Sequence, residues 1–403
     1  MKEEKSISPL LVWLMAIGSC LSVSNIYYNQ PLLADMLKTF HASQKEIGMV
    51  PLCTVLGYGF GLLFVVPLGD MMEKKRTILQ SLVLAFIFLL LVCFSVNLTM
   101  LLISSFFLGV FSIIPQLLIP FAAHLAKPEE RGKVVGTVMS GLLIGILLSR
   151  TLAGFIDIHG GWRIVYGMAS VFMVILFLGL WKGLPSYTPE FKGHYGDLLI
   201  SVWEMAKKYP SLRESAGIGF FLFAALNLFW STLIFILKIP PYHFDADTAG
   251  LFGLIGAAGA LAAPIFGRIT DRRGTRPVII LGIVLEFISF ILLYALGMHL
   301  WILIVFVFLM DLGQQGTHIS NQTRIFSLDP NARSRVNTVY MFTAFMGGAL
   351  GSGLGATALS MGGLKGISLA GLALVMMALI CFLLLGRVKQ KSNLVPMEIP
   401  IEH

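Results

Sequence analysis

The sequence predicts an all-α membrane protein with twelve transmembrane helices arranged as two pseudo-symmetric six-helix bundles. Three observations carry that expectation. The 403-residue chain is 57% hydrophobic and 12% charged, about half the roughly 25% charge of a soluble domain. Apolar runs recur along it, each near the ~20 residues that cross a bilayer as a helix. A short charged hairpin also occurs twice. It reads Val66-Pro67-Leu68-Gly69-Asp70-Met71-Met72-Glu73-Lys74-Lys75-Arg76 first, and Gly267-Arg268-Ile269-Thr270-Asp271-Arg272-Arg273-Gly274-Thr275-Arg276 later. A duplicated charged hairpin in an apolar chain points to two related membrane halves, an architecture mostly used for transport.

The spans, numbered in order, cover 8–28, 47–68, 77–96, 99–124, 134–156, 164–181, 215–237, 248–267, 277–297, 300–323, 336–359 and 366–386. The first follows a charged start and superficially resembles a signal peptide. No small-residue cleavage site precedes a soluble domain, so it reads as a membrane helix. Connections are tight except at 182–214, where Pro185, Pro189 and Gly193 precede an amphipathic stretch from Asp197 to Lys208. The predicted organisation is a bundle over 1–183, a cytoplasmic linker with an amphipathic helix over 184–214, and a second bundle with a short tail over 215–403.

Orientation follows from the basic residues. Of 29 Lys and Arg, Lys38, Lys45, Arg163, Lys238 and Lys365 fall in loops on one side, and Arg150 falls inside span 5. All others lie on the opposite side, with both termini. The positive-inside bias therefore predicts cytoplasmic termini in a multi-pass protein of the cell inner membrane. Basic loops facing anionic lipid account for the net charge of +8 without nucleic acid. Cys20, Cys53, Cys93 and Cys381 all sit in apolar runs and read as small buried hydrophobes, not as disulfides or metal ligands.

Spans 2, 5, 8 and 11 each carry small residues four apart: Gly57/Gly61, Gly141/Gly145, Gly256/Ala260 and Gly347/Gly351/Gly355. Such spacing lets helix backbones approach in lipid. Its recurrence at every third helix predicts four three-helix units, with the second helix of each at a close or sliding contact.

On these residues the chain resembles the major facilitator superfamily over essentially its whole length. The second hairpin, Gly267-x-x-x-Asp271-Arg272-x-Gly274-x-Arg276, is similar to that superfamily's signature. The first keeps Leu68, Asp70, Lys74, Lys75 and Arg76 but has Val66 and Glu73 at expected glycines and Met71 at an expected arginine. The resemblance implies that Asp70, Lys74, Lys75, Arg76, Gly267, Asp271, Arg272, Gly274 and Arg276 form a cytoplasmic gate. The runs Asn25-Ile26-Tyr27-Tyr28-Asn29-Gln30-Pro31-Leu32-Leu33 and Gly161-Trp162-Arg163 resemble the bacterial drug:proton antiporter and sugar or nucleoside efflux branch. Two positions depart from that pattern. Ser105 stands where an arginine would precede Gly109, and Arg150 replaces the proline of the span-5 antiporter motif.

Within the spans only Arg150, Glu286 and Asp311 are formally charged, with His124 and His318 as possible additions. A charge near the bilayer centre costs about 2.5–3.5 kcal/mol on insertion scales, so each needs a partner, a wet cavity or a proton. Arg150 either faces a cavity or carboxylate, or snorkels to the outer headgroups. Asp311 sits mid-span among Gln314, Gln315, His318, Asn321 and Gln322. The resemblance implies that spans 1, 4, 7 and 10 line a central cavity, where Asp311 has the chemistry of a proton carrier; the alternative is a structural hydrogen bond. Glu286 reads as a helix–helix contact or a further coupling carboxyl. The sharpest expectation is that Arg150 and Asp311 face each other across the cavity. Asn25, Tyr28, Gln116, Asn227, Trp230, Gln314, Gln315, His318, Asn337 and Tyr340 are candidate substrate contacts, aromatics and amides suited to an amphipathic organic ligand.

No nucleotide-binding loop, metal spacing or nucleophile elbow appears, so no enzyme, cofactor or metal is expected. The leading functional expectation is a monomeric secondary-active transporter that exports a small amphipathic compound against protons by alternating access. A uniporter or importer of a small, possibly anionic, metabolite is one alternative; a non-transporting membrane sensor, disfavoured by the short loops, is another.

Overall fold

Hydrocarbon offers the backbone no hydrogen-bond partners, so each crossing segment must satisfy its own groups, which the helix does. The computed structural model describes residues 7–127, 129–187, 194–238, 240–260, 263–329 and 332–385. Side chains are described at all of these except 70, 257, 259, 260, 263, 264 and 271. Helices dominate, and no strand occurs among the described residues.

Span 1 is the helix Pro9–Tyr27, continued by Asn29–Phe40. Span 2 begins at a capping box in which Ser43 Oγ accepts from the Glu46 amide, while the Glu46 carboxylate accepts from the Ser43 amide. Span 3 is Lys74–Cys93. Span 4 is Leu98–Phe111 and Ile114–Leu125, interrupted just before Pro115, whose ring fits only the first turn of a new helix. Span 5, Arg131–Gly160, ends at Gly161, whose φ of 81° is open to glycine. Span 6 is Trp162–Gly183, and the amphipathic helix is Tyr195–Lys208.

In the second half, span 7 is Pro210–Trp230 followed by Leu233–Lys238, span 9 is Thr275–Leu296 and span 10 is Leu300–Phe326. Span 8 is described over the helices Ala246–Ala260 and Ala263–Arg273. Spans 11 and 12 lie within Arg333–Leu385, divided at Gly363, where φ 56° and ψ −141° turn the chain back. Large apolar side chains point outward on many spans, Ile103, Val171, Ile175, Leu281 and Leu384 among them, as lipid contact allows.

The small residues choose the packing partners. A Cβ on Gly141 or Gly145 would lie 2.2 or 2.3 Å from the carbonyl oxygens of Ala16 and Cys20, so spans 5 and 1 touch backbone to backbone. Gly347 and Gly351 do the same to Phe220 and Ala224, joining spans 11 and 7. Gly57 and Gly61 press on Phe106 and Val110 of span 4, and Gly256 meets Asp311 of span 10. The pairs 5–1 and 11–7 correspond, as do 2–4 and 8–10: this is the pseudo-symmetry in contact form. Of the close or sliding contact that the spacing predicts, these stripes make the close one, between helices within each half. The Ala260 side chain lies outside the described ones.

The halves meet along two seams. One is span 2 on span 11, where Gly48 faces Ala356 and Tyr58 stacks on Phe345 at 4.5 Å between centroids. The other is span 5 on span 8. On the face opposite the charged hairpins, Thr151 Oγ1 donates to Gly250 O at 2.8 Å, and Gly154 abuts Ala246 O. Toward the hairpin face, a Cβ on Gly132 or Gly136 would meet none of the described residues within 4 Å. This conformation is therefore closed along the 5–8 seam at the opposite face.

Candidate functional site: a buried arginine between two aromatic rings

Arg150 lies in the second half of span 5 and is only 6% exposed. Its Nε donates to Gln30 Oε1 at 2.6 Å and its Nη1 to Ile146 O at 3.3 Å. The guanidinium sits 4.6 Å from the Tyr27 ring centroid and 4.1 Å from that of Trp230. Tyr27 and Gln30 are three residues apart, hence on one helix face, and belong to the first half; Trp230 ends the main helix of span 7. The arginine thus joins the halves by stacking, which guanidinium does well because it is planar and weakly hydrated.

Asp311 approaches the same indole. A Cβ on Gly256 would lie 2.8 Å from Asp311 Oδ2 and 3.2 Å from Trp230 Cζ2, so carboxyl and indole are neighbours. Among the described residues no ion pair joins Arg150 to Asp311, and Asp311 Oδ2 and Trp230 Nε1 are buried without a hydrogen-bond partner. Trp230 is the shared contact of the two charges. The cleft beside Arg150, bounded by Gln30, Pro31, Leu233, Ile234 and Ala249, holds about 10 Å³, room for about one water. A groove of about 740 Å³ lies elsewhere, against Lys75, Arg76, Leu79, Val83, Phe177 and Trp181 on the flank of spans 3 and 6. It is remote from the charges and is not the central site.

Toward the hairpin face, aromatics and amides follow. Gln116 Nε2 donates to Tyr58 OH at 3.2 Å, and Phe345 touches both Tyr58 and Phe223. Asn227 is buried and donates to Phe223 O. His318 Nδ1 and Tyr340 OH are 3.1 Å apart. Among the described residues Gln314 Oε1, both amide atoms of Asn321 and Asn337 Oδ1 find no partner, and Gln315 is partly buried nearby on span 10.

Other expected residues sit elsewhere. Asn25 is fully buried and reaches Ser112 Oγ at 3.5 Å, a contact between spans 1 and 4. Tyr28 turns toward Tyr166 of span 6, edge to face at 6.4 Å, away from the charges. Glu286 is 0% exposed and its carboxyl has no partner among the described residues; its Cγ lies against Gly313, between spans 9 and 10.

At the hairpin face the Asp70 and Asp271 side chains lie outside the described ones. Lys74 rests over Tyr187 and Phe121, Gly267 has open space and Gly274 takes φ 82°. Arg276 Nη1 and Arg324 Nη2 reach the buried Glu214 at 3.4 and 2.5 Å, tying spans 7, 9 and 10. The residues that sequence reasoning missed are Tyr27, Gln30, Tyr58 and Glu214. Only the three-residue spacing of Tyr27 and Gln30 could have flagged any of them.

Twelve spans in two like halves, with polar and charged side chains converging between them, define a membrane transporter. The Major Facilitator Superfamily family model matches residues 15–262 and 241–398, and the chain belongs to that family. It is 41% identical over 368 residues to the "Uncharacterized transporter YgaY" of Escherichia coli O157:H7, covering 91% of this chain and 93% of that one. It is 26% identical over 337 residues to the "Probable sugar efflux transporter" of Helicobacter pylori, covering 81% of each. The nucleoside transporter NupG shares the fold at TM-score 0.74 and 12% identity, over 94% of this chain and 99% of that one.

Proposed function

We propose that this chain exports a small amphipathic organic compound in exchange for protons, alternating between faces as its two bundles rock. In this reading the hairpin face and both termini are cytoplasmic, the protein is a monomer of the cell inner membrane, and the conformation described above faces inward. The single observation that carries it is the convergence of Arg150 and Asp311, one from each half, on Trp230.

Asp311 is the proton carrier. When it is ionised, Arg150 is attracted across the indole; a proton removes that attraction and lets spans 5 and 10 part. The rings of Tyr58, Phe223, Phe345 and Trp230, with the amides of Gln116 and Asn227, give an apolar body stacking surfaces and a few directional bonds. Export as the direction draws support from the Helicobacter relative, a probable sugar efflux transporter.

Flux in proteoliposomes, with and without a pH gradient, tests the reading, using hits from a thermal-stabilisation panel of candidate compounds. Gradient-driven flux should vanish in Asp311→Asn and lose its coupling in Arg150→Lys. Wild-type coupling in both variants would overturn it. Flux of an anionic metabolite indifferent to the gradient would support uniport, anchored on Arg150.

A further inference from the structure

We propose that Asp157 and Asp35 form a proton-binding site at the outer gate, filled when that gate shuts and emptied when it opens. The inference rests on the orientation proposed above and concerns a site separate from Asp311.

Asp157 lies in the last turn of span 5. It is 4% exposed, and its Oδ1 has no hydrogen-bond partner among the described residues. A helix C-terminus carries partial negative charge and disfavours a carboxylate there. Its neighbour is Asp35, on the helix that continues span 1, whose carboxyl faces its own. Two ionised carboxyls so placed repel, and a proton on one of them removes the repulsion.

The surrounding charges assign that proton. Asp35 Oδ1 receives Lys38 Nζ at 2.7 Å and lies 3.7 Å from Lys238 Nζ, which reaches across from span 7. Lys238 also lies 3.8 Å from Asp245, at the entry to span 8. Partial burial pushes the Asp35 carboxyl up, but the Lys38 hydrogen bond and the two ammoniums outweigh it and leave Asp35 below its ordinary value. Asp35 is therefore the ionised carboxylate, and Asp157 the one that takes the proton. The groups facing Asp157 are Asp35 and Lys38 from the first element and Lys238 from span 7, with Asp245 behind Lys238. Three carboxyls against two ammoniums leave one uncompensated negative charge in a partly desolvated cluster, and one proton cancels it.

The cluster exists because the gate is shut. Lys238 and Asp245 belong to the second half, and the 5–8 seam brings them to Asp35 and Asp157. Opening the gate withdraws them and admits water, where Asp157 behaves as an ordinary carboxylate and releases its proton outward. The proton comes from and returns to the same side, so it is not transported. It makes the inward–outward equilibrium respond to external pH: binding only to the closed form, it favours closure as pH falls, by at most about tenfold per pH unit.

The test is a distance measurement across the outer gate in full-length protein in nanodiscs. Spin labels replace the exposed His159 and His243, with the four cysteines exchanged for small residues. Between pH 8 and pH 5.5 the wild-type background should move several-fold toward the short distance. Asp157→Asn, a neutral isostere, should stay closed and lose the response, whereas Asp311→Asn should keep it. Asp157→Glu, which can still hold a proton, should retain it, and thermal unfolding separates loss of response from loss of fold. A wild-type pH response in Asp157→Asn, or none in the background protein, would overturn the proposal. Because no flux is measured, failure here leaves the Asp311 result standing on its own.

Discussion

Gly154 and Gly141 make a matched pair of perturbations on one helix. An added Cβ at either would sit 2.2 Å from a carbonyl oxygen, that of Ala246 for Gly154 and that of Ala16 for Gly141. Both contacts are closer than any real Cβ tolerates, so the helices must separate by nearly 1 Å, and overpacking of this kind costs about 1–3 kcal/mol. The difference lies in what is being separated. Ala16 belongs to the same half as Gly141, so that contact persists through the whole cycle. Ala246 belongs to the other half, so the Gly154 contact exists only while the opposite face is closed. Gly154→Ala should therefore shift the equilibrium away from the closed form by roughly 5- to 140-fold, at about 1.4 kcal/mol per decade. Gly141→Ala should spend the same energy on fold stability and leave the gate alone.

The helix-propensity gain of Gly→Ala, about 1 kcal/mol, is common to both forms and cancels in their ratio. Spin-label distances across the ends of spans 5 and 8 read the equilibrium, and thermal unfolding in detergent reads the fold. Equal gate shifts in the two variants, or none in Gly154→Ala, would refute the assignment of the 5–8 seam as the contact that breaks.

Other expectations are briefer. Glu214→Ala should destabilise the protein by about 3 kcal/mol, since breaking a buried pair strands its partner; most of the loss comes through Arg324, whose side chain is 15% exposed against 44% for Arg276, and thermal unfolding checks it. Glu286→Gln should leave stability nearly unchanged, because an ionised carboxylate with no donor is too costly to bury and the amide replaces the neutral acid in shape; a large fall in melting temperature would contradict that. Asp35 has the opposite linkage to Asp157. Its carboxyl is depressed in the closed form, so its contribution is present at neutral pH and is lost as pH falls below about 4. The closed fraction, followed by the same distance measurement, should accordingly turn down again in that acid range.

The twelve spans were legible because hydrocarbon imposes length and apolarity on each segment separately, a local constraint that a sequence displays. The small-residue stripes were legible for the same reason, yet they announced close approach without naming a partner. Gly141 looks no different from Gly154 in sequence, although one contacts its own half and the other the far half. Arg150 shows where local reasoning stops. Its cost in the membrane was evident, but a carboxylate was the expected acceptor, and the structure supplies the Gln30 amide and two rings. Tyr28 and Asn25 were expected at the cavity because they are polar and on span 1. Helix phase instead turns one toward Tyr166 and the other toward Ser112. The Asp35–Lys238 contact joins residues far apart in the chain and in different halves, where no periodicity connects them.

Span 5 carries every part of the proposed cycle on one rigid rod. From the hairpin face it presents the unpacked Gly132 and Gly136, then Gly141 and Gly145 seated on span 1. Arg150 between its rings follows, then Thr151 and Gly154 on span 8, and last Asp157 beside Asp35. Asp157 is two turns beyond Arg150, about 10 Å along the axis, and continuous helix transmits tilt over that distance. Because span 5 is fixed to span 1 below Arg150 and touches span 8 just above it, rocking that breaks the upper contact must also move Arg150 relative to Trp230. In the proposed cycle, closure of the gate opposite the hairpins and the approach of the two charges are then one motion, so an event at either end biases the other without a separate relay.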